Sequence, residues 1–127
     1  WDEAKPVMNK KIAEYAKAAL AGKPSFHISM LVDVSPECDC DSCNDVPIIP
    51  DVGMFASFDP IAIDQACVDA ANRQPVMPGS VAASAEAEEH THDVFKMVHP
   101  DTDWEAGLIH GEKLGLGTRD YELISVQ

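Results

Sequence analysis

Basic residues are scarce in this chain, with nine Lys and Arg against 22 Asp and Glu in 127 residues and a formal charge of −13. A surface so acidic repels phosphodiester backbones and anionic lipid, which excludes general nucleic-acid binding. Long apolar runs are missing as well. Pro, Gly or Asp interrupts each one well short of the roughly 20 residues that a bilayer crossing needs, so no membrane span is expected. Seven Gly and nine Pro are too few for a collagen-like or mucin-like chain, and 46% apolar residues are too many for a wholly disordered one. There is no internal repeat, nucleophile elbow, phosphate-binding glycine loop or zinc-protease helix, so no reaction or substrate is named. An initiating Met is also lacking. The opening Trp1-Asp2-Glu3-Ala4 is expected of a processed product or of a piece of something longer.

What is present suits one α/β domain over residues 1–127 with a modest core. Met8, Ile12, Tyr15, Ala16, Ala19 and Leu20 recur at helical spacing between Pro6 and Gly22, which predicts a helix over residues 6–21. Alternation then places Phe26, Ile28, Met30, Val32 and Val34 on one face of a strand. A long loop follows from Ser35-Pro36 through the cysteines to Pro50. Residues 51–57 read as a second buried strand, and Asp59-Pro60 as the cap and first residue of a helix whose stripe is Ile63, Ala66, Cys67, Ala70 and Ala71. Residues 74–93 hold few large apolar side chains and are expected to form a flexible excursion. Val94, Phe95 and Val98 suggest a short helix, Trp104, Leu108, Gly111 and Leu114 another, and residues 121–126 a closing strand. The sum is a small mixed sheet with flanking helices, its strand order unreadable, and a cysteine-bearing loop leaving the carboxyl end of the first strand where α/β sites usually lie.

That loop, Cys38-Asp39-Cys40-Asp41-Ser42-Cys43-Asn44-Asp45, is the most informative segment. Its cysteines are too close for unstrained disulfides with one another, which favours a reducing, cytoplasmic setting and metal chemistry. C-x-C-x-x-C spacing lets three thiolates converge on one soft or borderline metal. A fourth ligand is open: Asp45, Cys67 or a histidine of the Glu89-His90-Thr91-His92-Asp93 tract, with His99 further on. Bland readings compete at each position. Behind the leading metal reading, the loop thiols also read as free surface groups or a redox pair, while Cys67 reads first as core packing on its helix, and His90 and His92 as solvated. Asp39, Asp41 and Asp45 resemble part of a calcium loop only superficially, because Asn44 stands where its glycine belongs and Pro50 where its bidentate Glu belongs. Two rival functions remain beside metal binding. One is an enzyme using carboxylates Asp45, Asp59 and Asp64 in a cleft between the cysteine loop and the helix start. The other is a structural or partner-binding domain with a zinc-type clip.

Several motifs in order carry a family resemblance. Cys38-Asp-Cys40, Asp45-Val-Pro-Ile-Ile-Pro-Asp51-Val-Gly53 and Ala56-Ser-Phe-Asp59-Pro60-Ile-Ala62-Ile-Asp64-Gln-Ala66 resemble the carboxyl-terminal part of the domain-of-unknown-function 362 family. His99-Pro-Asp-Thr-Asp-Trp104 and Gly115-Leu-Gly117-Thr-Arg119-Asp-Tyr121-Glu-Leu123 are similar to its closing helix and strand, so the likeness spans most of residues 8–126. The resemblance implies an iron–sulfur-associated protein of unassigned activity, often with a separate ferredoxin-like segment. No CxxCxxC…CP run occurs here, and Cys43, Gly107 and Gly111 depart from the family pattern. The expected cofactor is therefore an iron–sulfur cluster or a single thiolate-bound iron or zinc, and the expected partner the rest of a longer chain or a redox protein.

Overall fold

The computed structural model describes residues 5–38, 40–86 and 92–126. In chain order they form α1 (Lys5–Leu20), β1 (His27–Leu31), β2 (Gly53–Ser57), α2 (Pro60–Asn72), α3 (Val81–Glu86), α4 (Val94–Val98) and α5 (Trp104–Lys113). β1 and β2 pair as a two-stranded antiparallel sheet, so the α/β class with a small sheet, flanking helices and a cysteine loop after the first strand is what the chain adopts. Two compact units are formed, one from Trp1–Ser29, Phe55–Val68 and Asp103–Gln127, the other from Met30–Met54 and Asp69–Thr102.

Aspartate caps start three of the helices. Asp59 Oδ1 accepts from the backbone N–H groups of Ile61 (2.8 Å) and Ala62 (2.9 Å), with Pro60 in the first helical position where no N–H is needed. Asp93 Oδ1 accepts from Phe95 and Lys96, and Asp103 Oδ1 from Ala106. Each cap satisfies donors that a helix start leaves orphaned, a contribution of about 1 kcal/mol apiece.

In the first unit α1 packs along α5. Gly107 allows the close approach, since a Cβ there would sit 3.3 Å from the Asn9 carbonyl oxygen. Asn9 in turn donates to the Asp103 carbonyl (2.6 Å) and Lys17 to that of Leu114. The face of α1 turned inward therefore carries Asn9, Ala13 and Ala16, while Met8, Ile12 and Tyr15, the larger members of the sequence stripe, are exposed. Small side chains win the interface because only they let two backbones come this near. The carboxyl-terminal segment is pinned rather than paired: Asp59 Oδ2 accepts from Thr118 N–H (2.9 Å), and Arg119 Nε donates to the buried Gln65 (2.8 Å). Gly117 is required there, because any Cβ would overlap the Asp59 carboxylate. Residues 121–126 form no strand; their alternation has no ladder partner, and β propensity is realised only in a ladder.

The second unit holds a buried aliphatic cluster of Ile48, Ile49, Ala71, Ala82, Val94 and Met97, flanked by Leu31, Val34, Val52, Val76, Phe95 and Val98. Ile48 and Ile49 come from the far end of the cysteine loop, where Ile48 N–H donates to the Val34 carbonyl (2.8 Å) and Met77 N–H to that of Ile48 (2.8 Å). Within 74–93, Val76 packs against this cluster, Ala82 belongs to it and α3 packs against α4.

Candidate functional site

The cysteine loop is built by short polar side chains bonding to nearby backbone. Asn44 is its organiser. Its Nδ2 donates to Ser35 Oγ (3.0 Å) and the Glu37 carbonyl (3.0 Å), while its Oδ1 accepts from Glu37 N–H (3.1 Å). Asp41 N–H donates to the Cys38 carbonyl (2.8 Å), and Asp41 Oδ1 accepts from Cys43 N–H (2.8 Å), so the stretch from Cys38 to Cys43 is a turn closed at both ends. From α4, His99 Nε2–H donates to the Pro36 carbonyl (2.8 Å) and stands 3.7 Å from the Glu37 carboxylate, tying the amino-terminal arm of the loop to the helix end.

Cys38, Cys40 and Cys43 are all exposed. Cys40 hydrogen-bonds to Cys38, and that bond together with the neighbouring negative charge pushes the Cys40 thiol above its usual range. Cys43 lies beside the Ser42 hydroxyl, Sγ to Oγ 3.8 Å. Two of the three loop thiols are thus side by side with the third one turn away. Among the described residues, no group of three His, Cys, Asp or Glu side chains is gathered as a metal site.

The other sequence candidates are placed as follows. Asp45 Oδ1 accepts from Val46 N–H (2.7 Å) and shapes the exit of the loop. His92 Nε2–H donates to the Gln74 carbonyl (2.9 Å); His90 and Asp39 lie outside the described residues. Cys67 sits half-buried on α2 in the first unit, whereas the three loop cysteines belong to the second. Burial pushes its thiol up, against a hydrogen bond with Ser29 that lowers it, so it stays protonated at neutral pH. Of the carboxylates in the enzyme reading, Asp59 has both oxygens taken by backbone N–H groups of Ile61, Ala62 and Thr118. Asp64 keeps solvent contact at the rim of α2, but desolvation by the atoms around it raises its carboxyl, an effect only partly offset by nearby His27. His27 Nε2 is 3.1 Å from Ser25 Oγ. Sequence reasoning missed Ser25, His27 and Ser29, whose only signal is their shared polar face on and before β1, and it missed Asn44 as a scaffold.

A small antiparallel sheet flanked by helices, carrying an exposed thiol turn between its two strands, defines an α/β protein with a soft-donor loop. Residues 2–69 match the model of DUF362, a domain of unknown function, and the chain belongs to that family. The match takes in β1, the whole cysteine loop, β2 and the Asp59 to Asp64 motif; the motifs at His99 and Gly115 lie beyond it. No curated protein and no solved structure matches the chain.

Proposed function

We propose that the chain is a metal-binding domain, iron–sulfur-associated, that takes a cluster or a single iron or zinc through Cys38, Cys40 and Cys43 in a reducing, cytoplasmic setting. The observation that supports this best is the contact between the Cys38 and Cys40 thiols on an exposed turn whose backbone is already fixed by Asn44 and Asp41. The Cys40 thiol is pushed up by its Cys38 neighbour; a cation bound there would favour ionised sulfurs instead. The surroundings favour a cation too. The second unit carries twelve acidic residues and two basic ones, a formal charge of −10, which raises the local concentration of positive ions. The donors fit a thiophilic centre in kind, and Cys43 is exposed on the same loop as the pair. A cluster there would supply one-electron transfer to a redox partner or to the remainder of a longer chain, and a lone zinc would clip the loop.

Anaerobic reconstitution with iron and sulfide tests the proposal, with visible spectra of the wild type and of Cys40→Ser alongside elemental analysis of the protein as isolated. A charge-transfer band that Cys40→Ser abolishes, or stoichiometric zinc that it releases, is the expected result. A chain with neither, in a folded state, is not a metal-binding domain of this kind.

A further inference from the structure

A pocket of about 380 Å³ lies in the first unit between α1 and α5, far in chemistry from the thiol loop and unused by it. Its long wall is one face of α5, where Asp103, Ala106, Ile109, His110 and Lys113 recur at helical spacing, and Lys10 of α1 borders the open groove. The middle of that face is aliphatic, from Ala106 and Ile109. The polar groups divide into those already committed and those that are not. Asp103 Oδ1 caps α5 by accepting from Ala106 N–H (3.1 Å). His110 Nε2–H donates to Glu14 Oε1 (3.2 Å), and Lys11 binds the other oxygen of the same carboxylate at 2.6 Å, which together hold the Glu14 carboxyl below the usual range. Glu14 is therefore saturated by two partners outside the two remaining cations. Among the described residues, Lys10 and Lys113 have neither a hydrogen-bond nor an ion-pair partner.

Two uncommitted ammonium groups beside an aliphatic wall are unexpected in a chain of formal charge −13, where acids outnumber bases by more than two to one. The charges are also unevenly spread: seven of the nine basic residues fall in the first unit, which has ten acids and a formal charge of −3. An anion approaching the α1/α5 side therefore meets less net negative charge than over the second unit, with two unpaired lysines and, at one end, the Asp103 carboxylate engaged in its helix cap. The size lies within the range of small-molecule sites, which combine an apolar lining with a few placed polar groups. We infer that the α1/α5 pocket binds a small amphipathic anion, its carboxylate or phosphate head on Lys10 and Lys113 and its apolar body against Ala106 and Ile109. This inference stands apart from the metal proposal, since none of these residues belongs to the cysteine loop.

The test uses the full chain labelled with 15N and titrated with hexanoate, hexyl phosphate and 1-hexanol, which share one apolar body. Expected are saturable amide shifts confined to α1 and α5 with either anion, weakened at least tenfold in Lys10→Gln/Lys113→Gln and by raising NaCl from 50 to 500 mM, roughly a threefold shortening of the Debye length. The stronger of the two anions then identifies the head group. Both lysines are exposed, so the double variant is expected to keep the wild-type far-UV spectrum; Ile109→Ala, which removes the apolar contact and leaves the charge, gives a second and independent loss. The inference is overturned by the absence of saturable shifts with both anions, by equal binding of 1-hexanol, or by anion binding that the lysine substitutions leave unchanged.

Discussion

The two compact units use similar lengths of chain to opposite ends. The first is close to charge balance at −3 and leaves large apolar side chains in water, among them Met8, Ile12 and Tyr15 on α1 and Phe26, Ile28 and Phe58 around the sheet. The second is strongly acidic at −10, yet it holds the aliphatic cluster centred on Ile48, Ile49 and Val94. Burial in the first unit combines small residues at the close α1/α5 contact with Ile61, Ile63 and Leu108, and in the second it centres on the Ile48, Ile49 and Val94 cluster. The difference teaches where each unit is vulnerable. Truncating a buried aliphatic opens a cavity in either unit, whereas adding a side chain at Gly107 in the first forces α1 and α5 apart.

The largest expected effect follows directly. Ile49 is only 1% exposed, and Ile49→Ala should cost about 2–4 kcal/mol through lost transfer energy and an unfilled cavity, read as a lower urea midpoint at unchanged m. A loss below about 1 kcal/mol would mean that the cluster tolerates collapse around the missing side chain.

Much of this arrangement was legible in the sequence, and the failures have a common cause. The α1 periodicity predicted residues 6–21 against an observed Lys5–Leu20, and Asp59-Pro60 marked the start of α2 correctly, because caps and periodicity are local signals. Ile48 and Ile49 were read as loop, since two residues between Pro47 and Pro50 show no period, yet they form the centre of the core. Alternation in β1 grouped Phe26, Ile28 and Met30 correctly on one face but could not say whether that face is covered; here it is the exposed one, and His27, Ser29 and Leu31 turn to the half-buried side. At the candidate site, cysteine spacing singled out the loop. The supports from Asn44 and from His99, 63 residues beyond the Pro36 carbonyl it binds, act through backbone groups and leave no pattern in the sequence.

A smaller effect tests the electrostatic side of the comparison at Asp64 in the first unit. Desolvation raises its carboxyl above the ordinary range in the folded chain, so the folded state binds a proton there more tightly than the unfolded one. Its contribution is favourable below the unfolded carboxylate value and is lost as pH rises through the folded value, so at neutral pH the buried side of this charge is a cost. Asp64→Asn should therefore raise Tm at pH 7, by about 1–2 °C given the solvent that screens it, with the gain disappearing below about pH 4. Melting both proteins across that range removes the shared effect of the −13 charge. A variant that is less stable at pH 7 would show instead that attraction to His27 outweighs desolvation.

The smallest effect is expected at Ile28, the counterpart of Ile49 in the other unit. Ile28 is 62% exposed on β1, beside Phe26, whose ring meets Phe58 edge-on at a centroid distance of 4.9 Å. That aromatic contact leaves most of Ile28 in water, so its side chain loses little apolar surface on folding and has little burial energy to give back. Ile28→Thr keeps a β-branched residue in the strand, which preserves both backbone preference and χ1 restriction. Stability should then change by no more than about 0.5 kcal/mol in urea unfolding. Set beside Ile49→Ala, the pair asks whether burial rather than residue type sets the weight of an isoleucine. A loss above about 1 kcal/mol at Ile28 would require that this sheet face be covered in solution, and repeating the melt over a hundredfold range of protein concentration would then show whether a second copy covers it, since only an associating chain gains stability with concentration.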